Sequence, residues 1–322
     1  MYKQFYGLTR NPFEISPDPY FLFPTARHNE ALASIVHGVL RQKGFMVITG
    51  EVGTGKTLLV RCLLEYLRRL EIASANVFNP RLSTIEFLRY VTGDFGLKGA
   101  NQDKGTLLLE LNNYLIARHR ANLNTVLIVD EAQQLEPEVL EEIRLLTNLE
   151  TSRQKLLQIL LVGQPELDRK LDSPQLRQLK QRVTLRCQLE PLEALETKGY
   201  ILRRLQRAGA NSHAPAMFPD LSIATVYHYS RGIPRLINTI CENALIGAYA
   251  EKSSCVRPEV IEEVAKDLRL NVLARPLAPE PPVTSSQQAI AKSLLQFIDA
   301  LERVARGSEP PETISHREVK VI

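Results

Sequence analysis

The sequence predicts an α/β fold in which a parallel sheet flanked by helices carries a phosphate-binding loop (P-loop), followed by an all-helical domain. Three observations carry this expectation. Apolar runs of strand length alternate with amphipathic, helix-length segments between residues 28 and 190, the order that builds βαβ units with right-handed crossovers. The first apolar run, Phe45-Met46-Val47-Ile48, leads into Gly50-Glu51-Val52-Gly53-Thr54-Gly55-Lys56-Thr57 and then Leu58-Leu59-Val60. That is strand, glycine-rich loop and helix opening in succession. Beyond Pro191 four helical patterns follow one another with no strand among them.

The elements are read in order. Residues 1–27 are rich in proline and aromatics, among them Phe5, Tyr6, Pro12, Phe13, Pro17, Pro19, Tyr20, Phe21, Phe23 and Pro24. They show no clear period and are expected to be an extended segment packed on a neighbour. His28–Leu40 places Ala31, Leu32, Ile35, Val36 and Val39 on one helical face. After the loop come a helix to about Leu70, a strand Ala73–Phe78, and a helix from Ser83, its N-cap, to about Asp94. A further helix spans about Thr106–Arg120. Val126-Leu127-Ile128-Val129 is a near-continuous apolar run, typical of a strand buried on both faces. A helix Pro137–Asn148, a buried strand Leu157–Val162 and a strand Val183–Leu189 complete the α/β domain, residues 28–190. Helices Thr197–Ala208, Ser222–Ser230, Arg235–Ala250 and Pro258–Leu270 make a helical domain over residues 191–270.

Pro276, Pro279, Pro281 and Pro282 mark residues 271–285 as a stiff linker. Ile290, Leu294, Phe297, Leu301 and Val304 recur at spacings of 4, 3, 4 and 3, a C-terminal amphipathic helix over residues 286–307 closed by Gly307. It is either a docking element or a cover for an apolar groove on the helical domain. Residues 308–322 read as disordered.

Composition narrows the class. A hydrophobic content of 44% and a charged content of 24% are those of a soluble globular protein. The net charge of +4 falls short of the concentrated basic signal of a dedicated nucleic-acid binder, and no run of five Lys or Arg occurs. Cys62, Cys187, Cys241 and Cys255 lie far apart, without a CxxC pair or a histidine at ligand spacing, so reduced thiols are expected and a zinc site is not. Met1-Tyr2-Lys3-Gln4-Phe5 does not open a signal peptide, and no apolar run approaches the ~20 residues that span a bilayer. The expected compartment is the cytoplasm.

The chemistry follows from the loop. Glycines let the backbone curl its N–H groups onto phosphate oxygens, and the helix N-terminus adds positive dipole. Lys56 would reach the β- and γ-phosphates, and Thr57 would hold Mg2+ through its hydroxyl. The strand ending in Val129 delivers Asp130 and Glu131 beside the loop: Asp130 to bind hydrated Mg2+, Glu131 to orient the attacking water. Gln164, just after the strand Leu157–Val162, is placed to report on the γ-phosphate. Transition-state charge calls for a further cation, for which Arg177, Arg182 and Arg235 are the candidates.

These residues together resemble the AAA+ ATPases, and within them the ExeA/GspA group (general secretion pathway protein A and MSHA-type pilus biogenesis ATPases). Tyr6-Gly7-Leu8 with Asn11-Pro12-Phe13, Ser16-Pro17-Asp18-Pro19, His28-Asn29-Glu30-Ala31-Leu32, Gly50–Thr57, Val129-Asp130-Glu131-Ala132-Gln133, Gly163-Gln164-Pro165-Glu166-Leu167 and Gly232-Ile233-Pro234-Arg235 carry the resemblance, in the family's order, over residues 1 to about 270. It implies that Gly50–Thr57 is the Walker A loop, Asp130 and Glu131 the Walker B pair, and Gln164 the sensor-1 residue. It further implies that Arg182 is an arginine finger reaching a neighbouring subunit, with Arg177 as second candidate, and that Arg235 is sensor 2 on a helical lid. The aromatic N-terminal segment would line the adenine side of the nucleotide site. ATP and Mg2+ are the implied ligands, and a ring or filament of subunits the implied assembly. ExeA-type proteins that act on the cell wall are longer, with a transmembrane helix and a peptidoglycan-binding domain. This sequence has neither, so the expectation is a motor that reaches the inner face of the membrane through a partner.

Two functions are expected from the resemblance. The first is an ATPase that drives assembly or remodelling of a secretion, pilus or exopolysaccharide envelope machine, docking its partner through the C-terminal helix. The second is a DNA-associated regulator of the TnsC/TniB transposition type, using residues such as Arg68, Arg69, Arg118, Arg120, Lys155 and Lys170; the modest net charge argues against it. A nucleotide switch with negligible turnover is a third, and it predicts that Glu131→Gln changes no rate.

Overall fold

The computed structural model describes residues 2–78, 81–98, 102–152, 154–210 and 214–270, all within one compact unit. The linker 271–285, the helix 286–307 and the tail 308–322 expected from the sequence lie outside the described residues.

Five strands form the sheet: β1 (Phe45–Gly50), β2 (Ala73–Val77), β3 (Thr125–Val129), β4 (Gln158–Gly163) and β5 (Val183–Leu189). Their order is β2-β3-β4-β1-β5 and every pairing is parallel. The register sets Met46 beside Leu160 and Ile48 beside Val162, so the loop after β1 and the turn after β4 emerge at the same edge. Alternation across the pleat explains the unbroken apolar runs. Phe45, Val47, Leu127, Val129, Ile159 and Leu161 are buried on one face of the sheet; Met46, Ile48, Val126, Ile128, Leu160 and Val162 are buried on the other.

Helices cover both faces. Before the sheet come α1 (Tyr2–Phe5) and α2 (Ala26–Leu40), and after β1 comes α3 (Lys56–Arg69). Helices α2 and α3 bury Ala31, Ile35, Val39, Leu59, Leu63 and Leu67 against the second face. On the first face lie α4 (Thr84–Asp94), α5 (Lys104–Arg120), α6 (Pro137–Leu146), α7 (Pro165–Leu171) and α8 (Arg177–Lys180). Local chemistry starts several of them. Ser83 and Glu86 form a reciprocal capping box on α4. Asp103 caps α5, which therefore begins at Lys104, two residues before the expected Thr106.

The helical part comprises α9 (Ala194–Leu205), α10 (Ala214–Met217), α11 (Asp220–Ser230), α12 (Pro234–Ala250) and α13 (Pro258–Asp267). The helix expected to run to Ala208 ends as a regular helix at Leu205, followed by a wide turn over Gln206–Ala210 that Gly209 permits at φ 111°. The N-terminal segment is not simply extended. It holds α1 and a 3-10 turn, Pro19–Phe21, capped by the Asp18 side chain. Leu8, Phe13 and Phe21 are buried in one cluster with Ile201, Leu205, Phe218 and Ile237, so the segment supplies part of the helical core. Among the described residues no helix is long and apolar enough to cross a membrane.

Candidate active site

The loop between β1 and α3 is built by its glycines. Gly53 and Gly55 take φ 86° and 99°, the left-handed region that side chains resist. A Cβ on Gly53 would also meet Cβ of Arg235 at 2.7 Å. Thr54, fully buried, closes the loop by donating its hydroxyl to the Glu51 carbonyl at 2.9 Å. Gly55 opens α3, and no side chain caps the helix. A helix start without a side-chain cap, framed by curled backbone, suits an anion.

Beneath the loop, His28 spans from Thr25 to the Thr54 carbonyl: Nδ1 is 2.7 Å from the Thr25 hydroxyl and Nε2 is 3.1 Å from Thr54 O. Burial pulls the pKa of this imidazole down, opposed by the Thr54 carbonyl and by Glu196. From the sequence His28 enters as a helix residue and as part of the His28–Leu32 motif, with no role of its own. Its histidine signal was one side chain on a partly apolar face, with nothing local to tie it to the loop.

Lys56 is only 6% exposed. Its ammonium donates to the carbonyls of Gly50 at 2.7 Å and Glu51 at 2.9 Å, which occupies two of its three N–H groups and fixes where it points. Burial lowers its pKa, and the carboxylates of Glu131, Asp130 and Glu51 oppose that fall. The charge is thus held by neighbouring carboxylates in a poorly solvated place.

Asp130 and Glu131 leave the end of β3 in different directions. Asp130 is buried, accepts the Thr57 hydroxyl at Oδ2 (3.1 Å), and accepts the N–H of Glu131 at Oδ1 (2.9 Å). Burial raises its pKa, and those two hydrogen bonds counter the rise. Glu131 sits in the left-handed region at φ 53°, ψ 34°, a conformation that costs a non-glycine residue on the order of 1–3 kcal/mol and recurs at functional sites. Its Oε2 accepts from Nε2 of Gln133 at 2.6 Å and from Nε2 of Gln164 at 3.2 Å. Gln133 in turn accepts the backbone N–H of Gln164 at 3.0 Å. From the sequence Gln133 enters only as the last residue of the Val129–Gln133 motif, with no role of its own. The signal available was an amide two residues after the carboxylate, and its meaning depends on the β3–β4 pairing.

These groups share one cleft that is open to solvent. Lys56, Thr57, Glu131 and Gln164 line it together with Glu14–Asp18 of the N-terminal segment and Tyr200, Arg204 and Asn238 of the helical part. The segment's aromatic rings do not line it: Phe13 and Phe21 are buried in the helical core, and Phe23 packs edge-on against Tyr200. Arg235 lines the cleft from the start of α12, and its N–H donates to the Gly53 carbonyl at 3.3 Å.

The other two arginines lie elsewhere. Arg182 immediately precedes β5, whose first residue pairs with Phe45 at the start of β1, whereas the loop follows Gly50 at the far end of that strand. Five residue steps at ~3.3 Å put roughly 17 Å of sheet between them. Arg177 opens α8 and is exposed. Neither lines the cleft of its own chain.

The donor set fits Mg2+. Thr57 and Asp130 offer two hard oxygens 3.1 Å apart beside an anion-binding helix start, and Mg2+ commonly takes one or two protein oxygens together with substrate phosphates and water. Among the described residues no cluster of three His, Cys, Asp or Glu forms a closed metal cage.

Residues 39–171 match the AAA domain family. General secretion pathway protein A of Aeromonas hydrophila is 46% identical over 255 residues, which is 79% of this chain and 46% of that protein. The chain thus spans about half the length of this curated relative. Among solved structures, the ORC2 protein of Aeropyrum pernix (ADPNP–ADP complexes) aligns with a TM-score of 0.60 at 16% identity, over 80% of this chain and 71% of that one. Cdc6p from Pyrobaculum aerophilum aligns with a TM-score of 0.58 at 14% identity, over 97% and 86%. At these identities the likeness is one of fold.

Proposed function

We propose that this chain is an AAA+ ATPase of the general secretion pathway protein A type, one that hydrolyses ATP to drive assembly or remodelling of an envelope machine of the secretion, pilus or exopolysaccharide kind. The observation that carries the enzymatic part is that Lys56, Thr57 and Glu131 line one cleft, with Asp130 hydrogen-bonded to Thr57 behind it. The envelope assignment is supported by the likeness to general secretion pathway protein A of Aeromonas hydrophila.

Each residue has a task in this reading. The curled backbone of Gly50–Gly55 and the start of α3 bind the phosphates, with Lys56 adding charge. Thr57 and Asp130 would hold Mg2+, which would supply positive charge beside the phosphates. Glu131 orients the attacking water and draws its proton toward Oε1 or Oε2, while Gln133 and Gln164 fix the carboxylate. Arg235, on the helical lid, senses the phosphates from above the loop. Arg182 serves the cleft of an adjoining copy, so a ring or filament is the competent form. Residues 286–307 are the expected docking segment for the partner.

Phosphate release by the purified chain tests the proposal. Turnover of ATP with Mg2+ that chelation abolishes supports it. A chain that neither binds nor cleaves ATP in excess Mg2+ would refute it.

A further inference from the structure

One wall of the cleft is a strap, tied at its two ends to two different parts of the fold. Residues 12–18 carry Pro12 and Pro17 and continue into Pro19. Prolines contribute carbonyls and no N–H, so a stretch that carries them is short of its own backbone donors. Two arginines supply them.

At the first end is Arg204 of α9, only 5% exposed. Its Nε donates to the Pro12 carbonyl, Nη2 to the Glu14 carbonyl at 3.4 Å, and Nη1 to the Tyr200 hydroxyl at 2.6 Å. That hydroxyl donates onward to Oδ1 of Asn238 at 2.9 Å, and the guanidinium stacks over the Phe21 ring at 4.7 Å. At the second end is Arg61 of α3, the helix that opens at the phosphate loop; its Nη1 donates to the Pro17 carbonyl. The strap therefore spans from a lid helix to a sheet helix, with Glu14–Asp18 facing the cleft between.

We propose that Arg204 and Arg61 are positioning residues that hold residues 12–18 as the wall against the nucleoside end of the ligand, and so set nucleotide affinity. The proposal rests on the reading of the cleft as an ATP site. In that reading the phosphates are held by other groups, Lys56 and Thr57 among them. Strap contacts are the same before and after the phosphate bond breaks, so they act as uniform binding: losing them raises KM and spares kcat.

The test is steady-state ATP hydrolysis by the full chain carrying Arg61→Ala or, separately, Arg204→Lys. Arg61 is exposed, so Arg61→Ala keeps the test open if the buried Arg204 variant fails to fold. Each variant loses at least one hydrogen bond from a charged donor, and KM for ATP is expected to rise roughly tenfold with kcat within about twofold. An unchanged KM in Arg61→Ala, or a fall in kcat at constant KM, overturns the strap. A wild-type chain that shows no turnover overturns the ATP reading and the strap with it.

Discussion

Nε2 of Gln133 donates to Oε2 of Glu131 across 2.6 Å, the shortest contact made by that carboxylate. Through its other amide atom Gln133 also accepts the N–H of Gln164 at 3.0 Å. One side chain therefore ties the acidic end of β3 to the turn after β4.

This tie sets the aim of the proposed water-orienting group. Gln133→Leu keeps much of the volume and removes both hydrogen bonds. Kcat for ATP is expected to fall about 10- to 100-fold with KM little changed, because misplacement by a fraction of an ångström is costly in a positioned reaction. Retained kcat would mean that Gln164 alone orients Glu131.

Lys56 offers a prediction about binding. Its ammonium is the one cation held inside the loop by the loop's own carbonyls. Lys56→Ala removes charge-assisted hydrogen bonds that are worth ~1.5–3 kcal/mol each, so ATP affinity is expected to fall tenfold or more. Calorimetric titration checks this.

Arg182 lies at the end of the sheet away from its own loop. Arg182→Ala is accordingly expected to bind ATP and lose turnover. Mixing it with Glu131→Gln chains should restore part of the activity, since mixed neighbours can form one intact site. If mixtures are as inactive as their components, the finger assignment fails.

His28 makes stability depend on pH. Its folded pKa lies below the unfolded value of ~6.5 because burial disfavours the imidazolium. In the window between the two pKa values the unfolded chain binds more protons, so stability is full above about pH 6.5 and is lost as pH falls toward the folded pKa, by at most about 1.4 kcal/mol per pH unit. Thermal melts between pH 7.5 and 5.5 should therefore decline more steeply for wild type than for His28→Gln.

Much of this was legible because it is local. Strand-length apolar runs such as Val126–Val129 announce burial on both faces, and the glycines at positions 53 and 55 mark backbone that must go left-handed. Ser83 and Glu86 wrote their capping box into four residues. What was hidden is what depends on distant pairing. Residues 1–27 have no period, because Leu8, Phe13 and Phe21 fill a core made by helices some 200 positions later in the chain. Helices α7, α8 and α10 have seven, four and four residues, too short for a periodic pattern to show. His28 and Gln133 gain their partners at Thr54 and Gln164 only when the sheet is assembled.

Glu131→Gln tests the central claim most directly. The substitution keeps the shape of the side chain and removes the charge that would draw a proton from water. ATP binding and phosphate release should be measured on one preparation. The expected result is affinity close to wild type with turnover reduced by at least about 10²-fold. Turnover equal to wild type would contradict the assignment of Glu131, and with it the account of this cleft as a hydrolytic site.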